Sequence, residues 1–121
     1  MAKNNTVDAS RILADVVVKG MEEKKGKDIV LMDLRDVKGA VADFFVVCHG
    51  ESDRQVEAIG KSIDDEVYKA LKEDPWGKEG FENCEWVLVD YITVVAHVFL
   101  EDKRDFFGIE DLWGDAEITR Y

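Results

Sequence analysis

Between Glu85 and Leu100 the chain reads Glu-Trp-Val-Leu-Val-Asp-Tyr-Ile-Thr-Val-Val-Ala-His-Val-Phe-Leu, with no Gly or Pro and mostly β-branched or aromatic residues. That composition favours a pleated, half-buried backbone over a helix. Asp90, near the middle, divides it into two short strands, so the stretch reads as a β-hairpin. Successive strand side chains point to opposite faces. The first strand therefore puts Trp86, Leu88 and Asp90 on one side and Glu85, Val87 and Val89 on the other, so a large indole shares a face with a carboxylate.

The rest of the chain supplies what such a hairpin packs against. From Val7 to Lys25 the apolar residues Ala9, Ile12, Leu13, Val16, Val17 and Met21 recur at spacings of three and four, one face of an amphipathic helix. Asn5 or Thr6 can cap it, and Gly26 can end it. Asp28 to Asp33 and Asp43 to His49 follow as strands whose centres are apolar on both faces, the pattern of the middle of a sheet. Ser52 then caps a long helix, with Gln55 placed to complete a capping box. Its buried stripe is Val56, Ile59, Ile63, Val67, Tyr68 and Leu71, and Pro75 stops it. Trp76 to Asn83 reads as loop. After the hairpin come short helices over Glu101–Asp105 and Ile109–Trp113, then a polar tail.

These elements predict a single α/β domain over residues 1–121, a mixed β-sheet flanked by helices in the order α-β-β-α-β-β-α, with residues 1–5 and 115–121 as flexible tails. A chain of 121 residues can bury a core without disulfides or metals. Cys48 and Cys84 are far apart and read as buried thiols of a cytosolic protein. No apolar run is long enough to span a bilayer and no signal core opens the chain, so a cytoplasmic protein without membrane contact is expected. The formal net charge is -11. That field disfavours direct nucleic-acid binding and favours a Lys/Arg-rich partner protein.

Candidate chemistry is sparse. Ser52 lies in Gly50-Glu51-Ser52-Asp53-Arg54, between a strand and a helix, but Arg54 stands where a nucleophile elbow needs its second glycine. The same turn could offer backbone N–H groups and Arg54 to a phosphate, without the glycines of a nucleotide loop. His49, His97, Cys48 and Cys84 show no metal-ligand spacing, and His97 reads as a hydrogen-bonded strand residue between Val95 and Phe99. Asp33, Asp43 and Asp90 lie at strand ends, where carboxylates can meet. No cofactor or metal is expected. Trp86 and Tyr91 beside Glu85 and Asp90 form an aromatic anchor with acids, suited to a basic protein surface.

Several motifs in fixed order add to this reading: Ala42-Asp43-Phe44-Phe45-Val46-Val47, Gly50-x-Ser52-Asp53-Arg54-Gln55, Glu79-Gly80, Trp86 to Tyr91, His97-Val98-Phe99, Arg104-x-Phe106 and Leu112 to Ala116. Together they resemble the ribosomal silencing factor family (RsfS, or iojap). The resemblance implies a nucleotidyltransferase-like fold without that fold's catalytic carboxylates, and a non-enzymatic translational repressor. It further implies binding to the large ribosomal subunit through universal large-subunit protein fourteen, with little direct nucleic-acid contact, which sterically blocks joining of the small subunit. The implied partner-binding residues are Trp86, Leu88, Asp90, Tyr91, Glu85 and His97. Two other readings stay open: a nucleotide-transferring or hydrolysing enzyme built on Ser52, Arg54 and the strand-end aspartates, and a module that forms a homodimer when free. Many family members carry Gly-Asp where this chain has Ile92-Thr93, and Tyr where it has Phe107. An isoleucine resists the positive φ of tight hairpin turns, so the strand register is expected to be least secure there.

Overall fold

The computed structural model describes residues 8–121. Helix α1 (Ala9–Glu23) begins at Asp8, whose carboxylate accepts the Arg11 backbone N–H. The expected caps Asn5 and Thr6 lie outside the described residues. At its other end Lys25 takes the left-handed conformation, φ 61°. Lys25 N–H donates to the Glu22 carbonyl and Gly26 N–H to that of Met21. The left-handed position thus falls one residue before the glycine expected to hold it.

Strands β1 (Lys27–Asp33) and β2 (Phe44–Gly50) follow, then helix α2 (Asp53–Leu71), strands β3 (Gly77–Glu79), β4 (Trp86–Asp90) and β5 (Val94–Leu100), short helices α3 (Glu101–Phe107) and α4 (Ile109–Leu112), and strand β6 (Glu117–Arg120). The six strands form one sheet in the order β3-β4-β5-β2-β1-β6. β2 and β5 run parallel and the other neighbours antiparallel, so the sheet is mixed as expected.

Three expectations about the sheet need correction. The loop from Trp76 to Asn83 contains β3, and the tail expected to be flexible contains β6, which pairs Met32 with Ile118 and Val30 with Arg120. Both are short edge strands; β6 is exposed along its whole length, so no alternation of apolar and polar residues marks it. The sheet's centre is β2 with β5, not β1 with β2, because the parallel pairing inserts β5 beside β2.

Helices α1 and α2 cover one face of the sheet, where Leu13, Val17, Met21, Ile59 and Ile63 pack on Leu31, Phe44, Val46, Val89 and Val98. The two helices approach closely at Gly20, where a Cβ would stand 2.8 Å from the Ile63 Cα. Ser62 Oγ donates to the Gly20 carbonyl at 2.7 Å across the same contact. The outer face carries Val30, Met32, Phe45, Val47, Val95 and Phe99, with Ile109, Ala116 and the half-buried Trp113 packed on them. This second cover is partial: Trp86, Leu88 and Asp90 of β4 stay only half-buried. No helix among the described residues is long and apolar enough to cross a membrane.

Candidate docking site

Strand alternation puts Trp86, Leu88 and Asp90 on the incompletely covered outer face, as the sequence predicts. The register runs without a slip from Trp86 opposite Phe99, through Leu88 opposite His97, to Asp90 opposite Val95. Gly80 shapes the approach to this strand. Its φ is +88°, and a Cβ there would lie 2.0 Å from the Trp86 carbonyl oxygen, a position only glycine fits.

The Trp86 indole is braced on several sides. Its ring lies 5.1 Å from that of Phe99, 4.7 Å from Phe107 and 6.0 Å from His97, centroid to centroid. The indole N–H donates to His97 Nδ1 at 3.1 Å. His97 is only 3% exposed, with Phe45 edge-on at 4.5 Å. Desolvation drives its pKa down from 6.5 to about 3, so the imidazole is neutral at physiological pH. Because Nδ1 accepts, the ring proton sits on Nε2, which has no partner among the described residues. The half-buried Trp86 therefore offers a fixed apolar surface whose polar handle is already satisfied.

The other expected site residues separate. Glu85 is exposed at the start of the strand, and its carbonyl accepts the Leu100 N–H. Asp90 is tied to the following turn, where Oδ1 accepts the Ile92 N–H at 2.7 Å. Tyr91 does not extend the Trp86 face. It lies on the helix-covered side, 7% exposed, as the next residue of an alternating strand must. Burial, reinforced by Asp64, Glu73 and Asp74, pushes its phenol well above the ordinary range.

Residues outside the expected partner-binding set complete the surface. Phe107 continues it from Trp86, and Phe106, 77% exposed, meets Phe107 edge-on at 5.2 Å. The helix that carries both, α3, is anchored by Arg104, a buried guanidinium that grips Glu110 in two bonds of 2.8 and 3.1 Å, contacts His49 Nδ1 at 2.9 Å and donates to the Lys27 carbonyl at 3.4 Å. The only available signal was the Arg-x-Phe spacing, which says nothing of which way α3 faces.

Most of the groups considered for chemistry are tied into the fold, while Arg54 stays exposed. Ser52 Oγ accepts the Gln55 N–H as a helix cap, while Gln55 Oε1 accepts the Glu51 N–H and its amide donates to the Lys24 and Lys25 carbonyls. Asp33 binds Arg35, which holds its carboxyl below the usual range, and Asp43 accepts the Ser10 hydroxyl at 2.8 Å. Cys48 and Cys84 are free, buried thiols, and burial pushes Cys48 up to about 12. Among the described residues no group of three or more His, Cys, Asp or Glu is placed to hold a metal ion.

Comparison with known proteins agrees in sequence and in fold. A family model described as ribosomal silencing factor during starvation matches residues 7–120. The chain is similar to the ribosomal silencing factor RsfS of Bacillus subtilis (strain 168), 41% identical over 101 residues that cover 81% of each protein. It is also similar to the factor of the same name from Halalkalibacterium halodurans, 37% identical with 86% of this chain and 87% of the relative covered. A crystal structure of a Chromobacterium violaceum protein superposes with a TM-score of 0.81 at 38% identity, covering 86% of this chain and 85% of that one.

Proposed function

This chain belongs to the ribosomal silencing factor family, and we propose from that premise that it represses translation by occupying a surface of the large ribosomal subunit. The contact is made through the outer sheet face around Trp86, against the basic surface of universal large-subunit protein fourteen. The bulk of the docked domain then blocks joining of the small subunit. The action is occupancy, with no bond made or broken, and its place is the cytoplasm.

The observation that carries this reading is the bracing of Trp86. An aromatic that is half-exposed, packed at a tilt against Phe99 and Phe107, and relieved of its N–H by His97 loses little conformational freedom on docking. Interfaces place their binding energy in such anchors. A net charge of -11 adds attraction toward a basic partner and a faster encounter.

Subunit joining tests the blocking step. Purified large subunits are saturated with the protein, small subunits are added, and particle formation is followed by light scattering. The proposal expects joining to fall in proportion to occupancy. Joining that proceeds at full rate on saturated large subunits contradicts it.

A further inference from the structure

We infer that Ile92 is a specificity-determining contact of the same docking surface, an aliphatic anchor held out of the fold in a strained backbone conformation. The inference rests on the docking reading above and names a residue that reading does not use.

Ile92 has φ 73° and is 59% exposed. Positive φ brings a β-branched side chain against its own backbone, and among non-glycine residues it is a genuine outlier. Lys25, Asp28, Lys72 and Cys84 also have positive φ, and none of them is β-branched.

The conformation is imposed from several sides. Thr93 N–H donates to the Tyr91 carbonyl at 2.9 Å, closing a three-residue turn centred on Ile92, and Tyr91 N–H donates to the Val94 carbonyl at 2.8 Å. Asp90 Oδ1 holds the Ile92 N–H. Beyond the turn, the Thr93 carbonyl accepts the N–H groups of both Asp43 and Phe44. A glycine would take this conformation without strain.

Inside the folded chain the isoleucine returns little for that strain, because most of its side chain faces water. Strain of this kind persists where the exposed group has a use. The surroundings indicate one. Ile92 lines a shallow cleft of about 260 Å³ with Val37, Ala40 and Val41 and with the polar Arg35, Asp43 and Thr93, and Val41 is itself 74% exposed. Asp90 joins this cleft to the docking face: it ends the Trp86, Leu88, Asp90 row and fixes Ile92. The exposed surface therefore runs on past the strand end into the turn, where Val41 and Ile92 are its exposed apolar side chains. The occupant is the same basic surface of the large subunit, offering an apolar side chain at this position.

Two variants test the assignment, Ile92→Gly and Ile92→Asn, both of which tolerate left-handed backbone. Thermal unfolding and binding to purified large subunits are measured for each. Relief of strain should raise the Ile92→Gly midpoint by roughly 3–6 °C, while loss of the aliphatic contact weakens binding by both variants about fivefold or more. Opposite signs in the two readouts distinguish a docking residue from a structural one. A raised midpoint with unchanged affinity overturns the inference while leaving the docking reading intact. A lowered midpoint also overturns it, by showing that packing within the fold retains the isoleucine. Failure of the unaltered protein to bind large subunits removes the docking reading itself.

Discussion

His97 ties the stability of the fold to the presentation of Trp86. Its imidazole is buried and neutral, and the indole N–H depends on it as acceptor. The pKa falls from 6.5 in the unfolded chain to about 3 in the fold. Between these values the unfolded chain binds the extra proton, so stability rises with pH across that window and is lost as pH drops through it. The slope from this one group reaches at most about 1.4 kcal/mol per pH unit. Denaturant unfolding between pH 7 and pH 4.5 should show the fall, and His97→Asn, which keeps an acceptor but no titrating group, should flatten it. A slope unchanged in that variant assigns the acid sensitivity elsewhere. Asp33 acts lower down. Its pKa is lowered in the fold by Arg35, so its contribution is present above 3.8 and lost as pH falls further.

At the scale of elements, α3 is anchored by charge rather than by its own length. Arg104 is 8% exposed and bridges α3 to Glu110 of α4 and to His49 at the end of β2. Removing one partner of such a pair leaves the other without compensation, though Glu110 is 30% exposed and can rehydrate. Arg104→Ala is therefore expected to cost about 2–3 kcal/mol in denaturant unfolding. It should also loosen Phe107 from Trp86, visible as a change in tryptophan fluorescence. Gly80→Ala tests the other support of the site: with φ +88° and a Cβ 2.0 Å from the Trp86 carbonyl, it should destabilise by roughly 3 kcal/mol. A Gly80→Ala protein of unaltered stability would contradict the role given to this turn.

The elements also show where sequence reasoning has purchase. β4 is legible because one buried face and one half-buried face leave alternation in the residues, β5 because it is a short run of mostly β-branched and aromatic residues buried on both faces, and α1 and α2 because a single apolar stripe faces the sheet. β3 and β6 leave no such trace, being short and exposed at the edges. The Trp86–His97 bond requires the strand register, which depends on a turn that Ile92 makes in an unfavoured conformation. Tyr91 faces the helix-covered core because alternation carries one residue past the end of the strand at Asp90, so its closeness in sequence to Trp86 does not put it on the same face. The Arg104–Glu110 pair crosses the helix break at Gly108, so helical spacing could not reveal it.

For the whole molecule, a net charge of -11 on one small domain makes association with a basic surface long-ranged and sensitive to salt. Raising salt from 50 to 300 mM should slow association with large subunits more than it speeds dissociation, because the apolar anchors hold the complex once formed. Equal effects on both rates would place the charge inside the contact instead of around it. The central claim is that Trp86 is the anchor of that contact, and it is tested most directly by co-sedimentation of purified large subunits with Trp86→Ala and Glu82→Ala proteins. Trp86→Ala, still folded by circular dichroism, should lose about 2 kcal/mol or more of binding, roughly thirtyfold in affinity, while the exposed Glu82→Ala changes little. Undiminished co-sedimentation of the folded Trp86→Ala protein would contradict the account.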